Sequence, residues 1–594
     1  MPHHSHVIDF RTTNTVWCSV LVETLHCLGL TTAIICPGSR STPLTLAFVQ
    51  HPAIDAIPIL DERSASFFAL GIARQTHQAV ALVCTSGTAG ANFYPAVIEA
   101  FESRVPLVVM TADRPPELRQ CHSGQTIDQQ KLYGAVPNWY AELALPSLDE
   151  AMLAYGRQTM IHAWERSHSP IPGPVHLNMP FRDPLAPLPE PEAFALAETF
   201  DGDRFFQHIT PSHHHPTSSS SLLASIPSLP TSIWEQWQSI PDGIIIAGIA
   251  QPPHPERYCR AIAQLSATFG WPVLAEGLSP VRNNATLNAH LISTYDTILR
   301  QPDDASRLAP SCVIRIGEMP TSKILRQWIA ECNPLQWVID GGDRNLDPTH
   351  GRTIHVRCSI EQLVSLMPSQ NLTPSLKALN LSPFLTQWMD AEQSTRHRLD
   401  DQMAAIEDWL EGKVAWTLSQ TLPRNTPLFI ANSTPVRDVE WFWKPGDRRI
   451  RPFFNRGANG IDGTLSTALG VAHRNQSSVL LTGDLAFLHD TNGLLVTKKF
   501  QGHLTIILMN NDGGGIFEFL PMAQFDPPFE EFFAMPQHID FSALCATYGV
   551  SYELMQSWAM LEDRLRCLPN DGVRVLEIQC DRRSSFQQRQ QLWS

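Results

Sequence analysis

Two short polar turns in the last third of the sequence carry side chains suited to holding a divalent cation. Thr482-Gly483-Asp484 follows the apolar run Val479–Leu481, and Asn510-Asn511-Asp512-Gly513 follows the apolar run Leu504–Met509. Asp484 and Asn511 stand 27 residues apart, which fits a strand, a helix and a second strand. A right-handed crossover of that kind sets the two strand ends side by side. Asp484 then offers a carboxylate, Asn511 an amide oxygen and Gly513 a backbone carbonyl to one hard cation. An octahedral Mg²⁺ with three protein ligands keeps room for phosphate oxygens and water. Glycine-rich turns such as the one at Gly483, and nearby helix N-termini, can receive the phosphates. Two ordinary turns would use the same residue types, so the pair needs support from the rest of the chain.

The elements that must position these turns form three α/β blocks. Apolar runs without period-two alternation, each ending in a polar turn, recur along the chain. They are Thr32–Cys36, Ala79–Cys84 and Pro106–Thr111 in the first block, and Ile244–Ala247, Pro272–Ala275, Cys312–Ile316 and Gln336–Ile339 in the second. The third has Leu428–Ala431, Val479–Leu481, Leu504–Met509 and Val573–Ile578. Such runs predict parallel sheets covered by helices on both faces, with ligands beyond the carboxyl ends of the strands. The reading is a first domain over 1–185, a Pro/Ser/His-rich linker over 186–242, a central α/β domain over 243–367, a helical connection over 368–413 and a third domain over 414–594. His213–His215 in the linker lacks a carboxylate or cysteine spaced to complete a metal site and is read as a solvated loop. Gly243 and Gly248 resemble a nucleotide-binding turn only weakly, without a GxGxxG pattern.

Composition narrows the class. With 594 residues, 43% hydrophobic and 17% charged, the chain is too long for one core and apolar enough to fill several. Forty-three basic against 58 acidic residues give a net charge of −15, which argues against general nucleic-acid binding. Anionic substrates would therefore need cations concentrated in one site. The 12 cysteines include no CxxC pair and read as small buried residues in a reducing compartment. No apolar stretch approaches a membrane span, and the N-terminus has neither a signal-peptide nor a transit-like pattern. The expectation is a cytoplasmic protein, with the plastid stroma as the other compartment considered.

The Gly483-Asp484 and Asn510-Asn511 pair resembles the thiamine-diphosphate motif, Gly-Asp closed downstream by Asn-Asn. That resemblance implies a pyrimidine-binding, a central and a diphosphate-binding domain in this order, with Mg²⁺ or Mn²⁺ bridging protein and diphosphate. It also implies a glutamate just beyond a strand of the first domain, which Pro58–Leu60 followed by Asp61-Glu62-Arg63 supplies at Glu62. In the superfamily this carboxylate holds the aminopyrimidine in its imino form, so that the cofactor's own imine removes the C2 proton.

Finer motifs narrow the resemblance further. Cys36-Pro37-Gly38-Ser39-Arg40-Ser41, Thr111-Ala112-Asp113-Arg114-Pro115, Asn432-Ser433 with Arg437, and Asn455-Arg456-Gly457-Ala458 before Gly460-Ile461-Asp462-Gly463 are similar to those of one family. It is the 2-succinyl-5-enolpyruvyl-6-hydroxy-3-cyclohexene-1-carboxylate synthases of menaquinone and phylloquinone biosynthesis. These transferases decarboxylate 2-oxoglutarate and add the succinyl carbanion equivalent to isochorismate in a 1,4-addition. Two dicarboxylates call for guanidinium forks, and the matching positions are Arg40, Arg114, Arg437 and Arg456. Ser39, Gln125 and Ser433 match as hydrogen-bonding partners, Lys323 as the central-domain lysine, and Ile461 as the apolar wedge that bends the cofactor. The sequence departs from the family at Ile324, where some members carry arginine, and at His122-Ser123-Gly124 before Gln125. In the superfamily the glutamate and the metal motif serving one cofactor come from different subunits, which implies a homodimer or homotetramer. Another thiamine-diphosphate enzyme, such as an acetohydroxyacid synthase or 2-oxoacid decarboxylase, is the alternative. It would act on monocarboxylates and need fewer arginines at strand ends. A catalytically silent scaffold would be expected to have lost Glu62 or a metal ligand.

Overall fold

Strands buried on both faces need no polar alternation, and the apolar runs fold accordingly into three six-stranded, wholly parallel sheets. A computed structural model describes residues 6–210, 230–367 and 382–593. The first sheet holds β1 (Thr32–Ile35), β2 (Asp55–Pro58), β3 (Val80–Cys84), β4 (Leu107–Asp113), β5 (Trp139–Glu142) and β6 (Pro174–Pro180), in the order β2-β1-β3-β4-β6-β5. The central sheet holds β7 (Gly243–Ala247), β8 (Val273–Ala275), β9 (Leu291–Ile292), β10 (Cys312–Ile316), β11 (Leu335–Ile339) and β12 (Arg352–Val356), ordered β12-β11-β10-β7-β8-β9. The third holds β13 (Pro427–Ile430), β14 (Arg451–Phe453), β15 (Ser478–Gly483), β16 (His503–Asn510), β17 (Ser551–Leu554) and β18 (Gly572–Gln579), ordered β14-β13-β15-β16-β18-β17. The first and third sheets therefore share one strand order, with the direction of chain travel reversing between β1 and β3 and again between β13 and β15. Open parallel sheets bind ligands at that reversal, beyond the carboxyl ends of the strands.

The described residues pack as two units. One takes those of 1–218 together with 455–475 and 486–502, and the other those of 219–454, 476–485 and 503–594. The first sheet lies in the first unit, and the other two sheets lie in the second. This packing crosses the sequence boundary at 413/414. The helix Thr464–Ala472 belongs to the third block by sequence, yet packs on the helix Glu62–Thr76. Two glycines allow that approach: a Cβ at Gly71 would stand 2.1 Å from the Thr467 carbonyl oxygen, and one at Gly470 2.1 Å from that of Phe68.

The 186–242 stretch, read as linker, is helical at its described ends. Helices Pro191–Ala197 and Gly202–Phe205 precede the helix Thr231–Ser239. The cause is aromatic burial: Phe205 and Phe206 join the core under the first sheet, Trp234 and Trp237 that of the central sheet. The runs His213–His215 and Ser218–Ser221 lie outside the described residues. Within 368–413 the described part is helical, with Pro383–Ala405 and the start of Glu411–Thr421, a helix that continues past the expected boundary. All twelve cysteines are unpaired, seven of them buried. Among the described residues no helix is long and apolar enough to cross a membrane.

Candidate active site

In the first unit Glu62 follows β2, the edge strand that lies beside β1 next to the chain reversal between β1 and β3. Asp61 caps the helix Glu62–Thr76 by accepting from the Ser64 N–H at 3.0 Å, and Asn492 donates to its other oxygen at 2.7 Å. Glu62 is thereby the first helical residue, half-buried. Burial pushes the thiols of Cys36, just past β1, and Cys84, at the end of β3, well up, and the Glu62 charge adds to both. The Glu62 charge is thus felt at both strand ends. The strand before it is Asp55–Pro58, not Pro58–Leu60: its partner β1 ends with Ile35 opposite Pro58, so Ile59 and Leu60 form the connection. A cleft of about 490 Å³ opens here, lined by Pro37, Gly38, Thr42, Ile59, Leu60 and Leu495.

Two arginines and a glutamine gather on the same sheet's carboxyl ends. Arg40 is buried; its Nη1 donates to the Phe181 carbonyl at 2.9 Å and lies 3.3 Å from Asp183, while its Nε is buried without a hydrogen-bond partner. Arg114 donates to the Ser86 hydroxyl. Burial, then the nearby positive charge of Arg40, holds the Arg114 pKa below its usual value. The charges of Asp113 and Asp183 oppose that lowering. Gln125 adopts a left-handed backbone (φ +56°) and donates from Nε2 to the Ser86 carbonyl at 3.0 Å. The departure at His122-Ser123-Gly124 brings a second left-handed residue, His122 (φ +61°). Ser39 is exposed, and its carbonyl accepts from Thr42 Oγ1 at 2.7 Å.

The loop with Arg456 and Ile461 belongs to this unit too. Glu99 pins it, accepting from the Gly457 and Ala458 N–H groups at 3.0 and 2.7 Å, and Thr464 donates to the Ile461 carbonyl at 2.7 Å. Both Arg456 and Ile461 are half-buried. Gly463 (φ +64°) ends the loop where a Cβ would collide with the Phe67 ring.

In the second unit the metal-type turns adjoin. Gly483 pairs in register with Met509 across β15 and β16, so Asp484 and Asn510-Asn511 leave neighbouring strand ends. Asp484 Oδ1 accepts from the Leu485 N–H and Oδ2 from the Gly513 N–H, each at 2.8 Å. Burial is the main reason its pKa rises to about 7, opposed by those two hydrogen bonds and aided by the charges of Glu411 and Asp512. The two asparagines differ. Asn510 is spent on structure, its amide donating to Glu577 at 2.6 Å and accepting from the Asp512 N–H at 3.1 Å. Asn511 donates its amide to Glu411 at 2.8 Å, and its Oδ1 is buried with no partner. The Gly513 carbonyl accepts from the Gly515 N–H at 3.0 Å, which leaves a second lone pair. A Cβ at Gly483 would meet nothing within 4 Å, so the strand end is open on that side. A buried carboxylate, an orphaned amide oxygen and a carbonyl around one open turn fit a hard divalent cation.

Beyond β13, Ser433 takes a left-handed backbone (φ +75°) and its carbonyl accepts from Arg437 Nη1 at 2.5 Å. Lys323 is exposed at the start of the helix Lys323–Cys332, which Ser322 caps through the Leu325 N–H at 3.0 Å. Ile324, in place of an arginine, packs against the core beneath that helix. Two residue groups escaped sequence reasoning. Ser86 stood in a polar tail after β3 but carried no motif, and Glu411, with its partner Arg589, lies far in sequence from the turns it contacts.

The chain matches models of thiamine pyrophosphate enzyme domains in order: the N-terminal binding domain over residues 18–132, the middle domain over 213–430 and the C-terminal binding domain over 445–578. Across 587 residues it is 60% identical to the 2-succinyl-5-enolpyruvyl-6-hydroxy-3-cyclohexene-1-carboxylate synthase of Nostoc sp. (strain PCC 7120), covering 98% of this chain and 97% of the relative. It is 59% identical to the synthase of the same name from Trichormus variabilis over 584 residues, covering 98% and 97%. To that of Synechococcus sp. (strain JA-3-3Ab) it is 53% identical over 589 residues, covering 98% and 96%.

Proposed function

Since this chain belongs to the family of thiamine-diphosphate-dependent 2-succinyl-5-enolpyruvyl-6-hydroxy-3-cyclohexene-1-carboxylate synthases, transferases that form a carbon–carbon bond, we propose that its substrates are 2-oxoglutarate and isochorismate. The 2-oxoglutarate loses CO₂, and its remaining four carbons are joined to the enoate carbon of isochorismate in a 1,4-addition. The product enters quinone biosynthesis. The observation that supports this reading is the gathering of Arg114 and Gln125 on Ser86, with buried Arg40 beyond the same sheet's strands, in a chain of net charge −15. Monocarboxylate substrates would not require two guanidinium groups at these strand ends.

Thiamine diphosphate, when bound, supplies the carbanion chemistry for both steps. Asp484 and Asn511, with the Gly513 carbonyl, would hold Mg²⁺ or Mn²⁺ for its diphosphate, which the open strand end at Gly483 would admit. Glu62 would hold the aminopyrimidine, and Ile461 would keep the cofactor bent. Arg40 and Arg114 orient carboxylates, with Ser39 and Gln125 as neutral partners; Arg437, Ser433, Arg456 and Lys323 are assigned to the same substrates. The reading includes self-association, with Glu62 of one copy serving a cofactor held by another, and mass measurement in solution tests it: a monomer would count against it. Unpaired cysteines support a reducing, cytoplasmic setting.

The test is an assay with thiamine diphosphate, Mg²⁺ and isochorismate, with and without 2-oxoglutarate. Isochorismate absorbance should fall only when 2-oxoglutarate is present. Loss without it would overturn the substrate assignment, and turnover of pyruvate alone would favour a simpler 2-oxoacid decarboxylase.

A further inference from the structure

An asparagine is a metal ligand only through its oxygen, so something must keep its amide from turning over. Rotation of the side-chain amide by half a turn exchanges O for NH₂ with little change of shape. At Asn511 the groups around the amide decide the matter. Its Nδ2 donates to Glu411 Oε1 at 2.8 Å. Glu411 Oε2 accepts from Arg589 Nη2 at 2.7 Å, and Arg589 forks onto Asp438 through Nε at 2.8 Å and Nη2 at 2.7 Å. All four side chains are buried, and all lie in the second unit. The polarity runs one way. A guanidinium only donates, so Arg589 fixes Glu411 as an acceptor; a carboxylate only accepts, so Glu411 must face the NH₂ of Asn511. The oxygen is left pointing away from Glu411, and it is this buried atom that has no partner.

We propose that Glu411, locked by Arg589, is the positioning residue that turns the Asn511 amide oxygen toward the cation. This rests on the reading that Asp484 and Asn511 hold a divalent metal. Residues behind a metal ligand commonly govern affinity in this way, their loss weakening metal binding by about 10- to 100-fold. The helix Thr434–Phe442 shares in the arrangement: Asp438, the anchor of Arg589, directly follows Arg437.

The isosteric variant Glu411→Gln tests the polarity. Arg589 will take the side-chain oxygen of the introduced glutamine, which turns the glutamine NH₂ toward Asn511 and forces that amide to flip. Mn²⁺ affinity in the presence of thiamine diphosphate, read from the electron paramagnetic resonance of free Mn²⁺ without turnover, should fall by about 10- to 100-fold. The melting temperature without metal should stay within a few degrees of the parent. The double variant E411Q/N511D reverses the hydrogen bond, since the introduced carboxylate accepts from the introduced amide and keeps an oxygen for the ion, and it should regain most of the lost affinity. Parent-like affinity in E411Q, or a double variant no better than E411Q, would overturn the positioning role. Asp484→Ala separates the two levels: if it too binds Mn²⁺ like the parent, the metal site itself is wrong, whereas weakened binding there beside an unaffected E411Q refutes only the role of Glu411.

Discussion

Gly513 donates its backbone N–H to Asp484 Oδ2 at 2.8 Å, across a gap of 29 residues in sequence. The loop after β16 is thereby fastened to the carboxylate after β15, and the neighbouring Gly513 carbonyl and Asn511 amide are held on the same strand ends. This fastening holds the two strand-end turns together.

Removing the carboxylate should therefore weaken the site itself. In Asp484→Ala, Mg²⁺-dependent affinity for thiamine diphosphate, measured by calorimetry, is expected to drop by at least about 10-fold, since even groups behind a ligand have effects of that size. Unchanged affinity would remove Asp484 from the site.

Arg114 carries the next prediction. It donates to Ser86 and lies near Arg40. Loss of a hydrogen bond between charged groups costs roughly 1.5–3 kcal/mol, so Arg114→Ala should raise KM for one dicarboxylate by roughly 10- to 100-fold. A uniform binding contact would leave kcat in place, whereas a contact made only in the transition state would lower kcat and kcat/KM together. KM measured separately for 2-oxoglutarate and isochorismate assigns the contact, and no change in any of these parameters would exclude it.

Acid stability should depend on Glu23, on the helix Thr13–Leu28. Burial pushes its pKa up, but hydrogen bonds from His51 (3.0 Å), His6 (2.7 Å) and the Val7 N–H (3.2 Å) outweigh that and bring it to about 2. A folded-state pKa below the unfolded value adds stability that is complete above the unfolded pKa and is lost as pH falls toward the folded one. The lowering corresponds to about 3 kcal/mol. The melting-temperature gap between the parent and Glu23→Gln should be wide at pH 5 and close as pH falls toward 2; a gap constant over that range would contradict the assignment.

Legibility in the sequence followed how local each signal was. Cys312–Ile316 is legible as a strand with its observed ends, and the other apolar runs match their strands within a few residues, because a doubly covered strand is written as an unbroken apolar stretch. The edge strand before Glu62 is not legible in its place: β2 is buried mainly at Ile57, and Ile59-Leu60 continue the apolar run after pairing stops. The helix Thr231–Ser239 hid in a Pro- and Ser-rich stretch, although Trp234 and Trp237 were a sign that it packs. Asp484, Asn511 and Gly513 were legible because one crossover sets their spacing. Glu411 and Arg589 were not, because 100 and 178 residues separate the partners and only folding brings them together. The segment 455–475, read with the third block, packs with the first sheet's unit through Gly71 and Gly470, a close approach that no single stretch announces.

Proton exchange at C2 of bound thiamine diphosphate tests the role of Glu62 most directly. Followed by quenched-flow deuterium exchange with NMR detection, it should be fast in the parent and slower by about 10²- to 10⁴-fold in Glu62→Gln, with cofactor and Mg²⁺ affinity retained. Equal exchange rates in the two proteins would contradict it and leave Glu62 without a catalytic role.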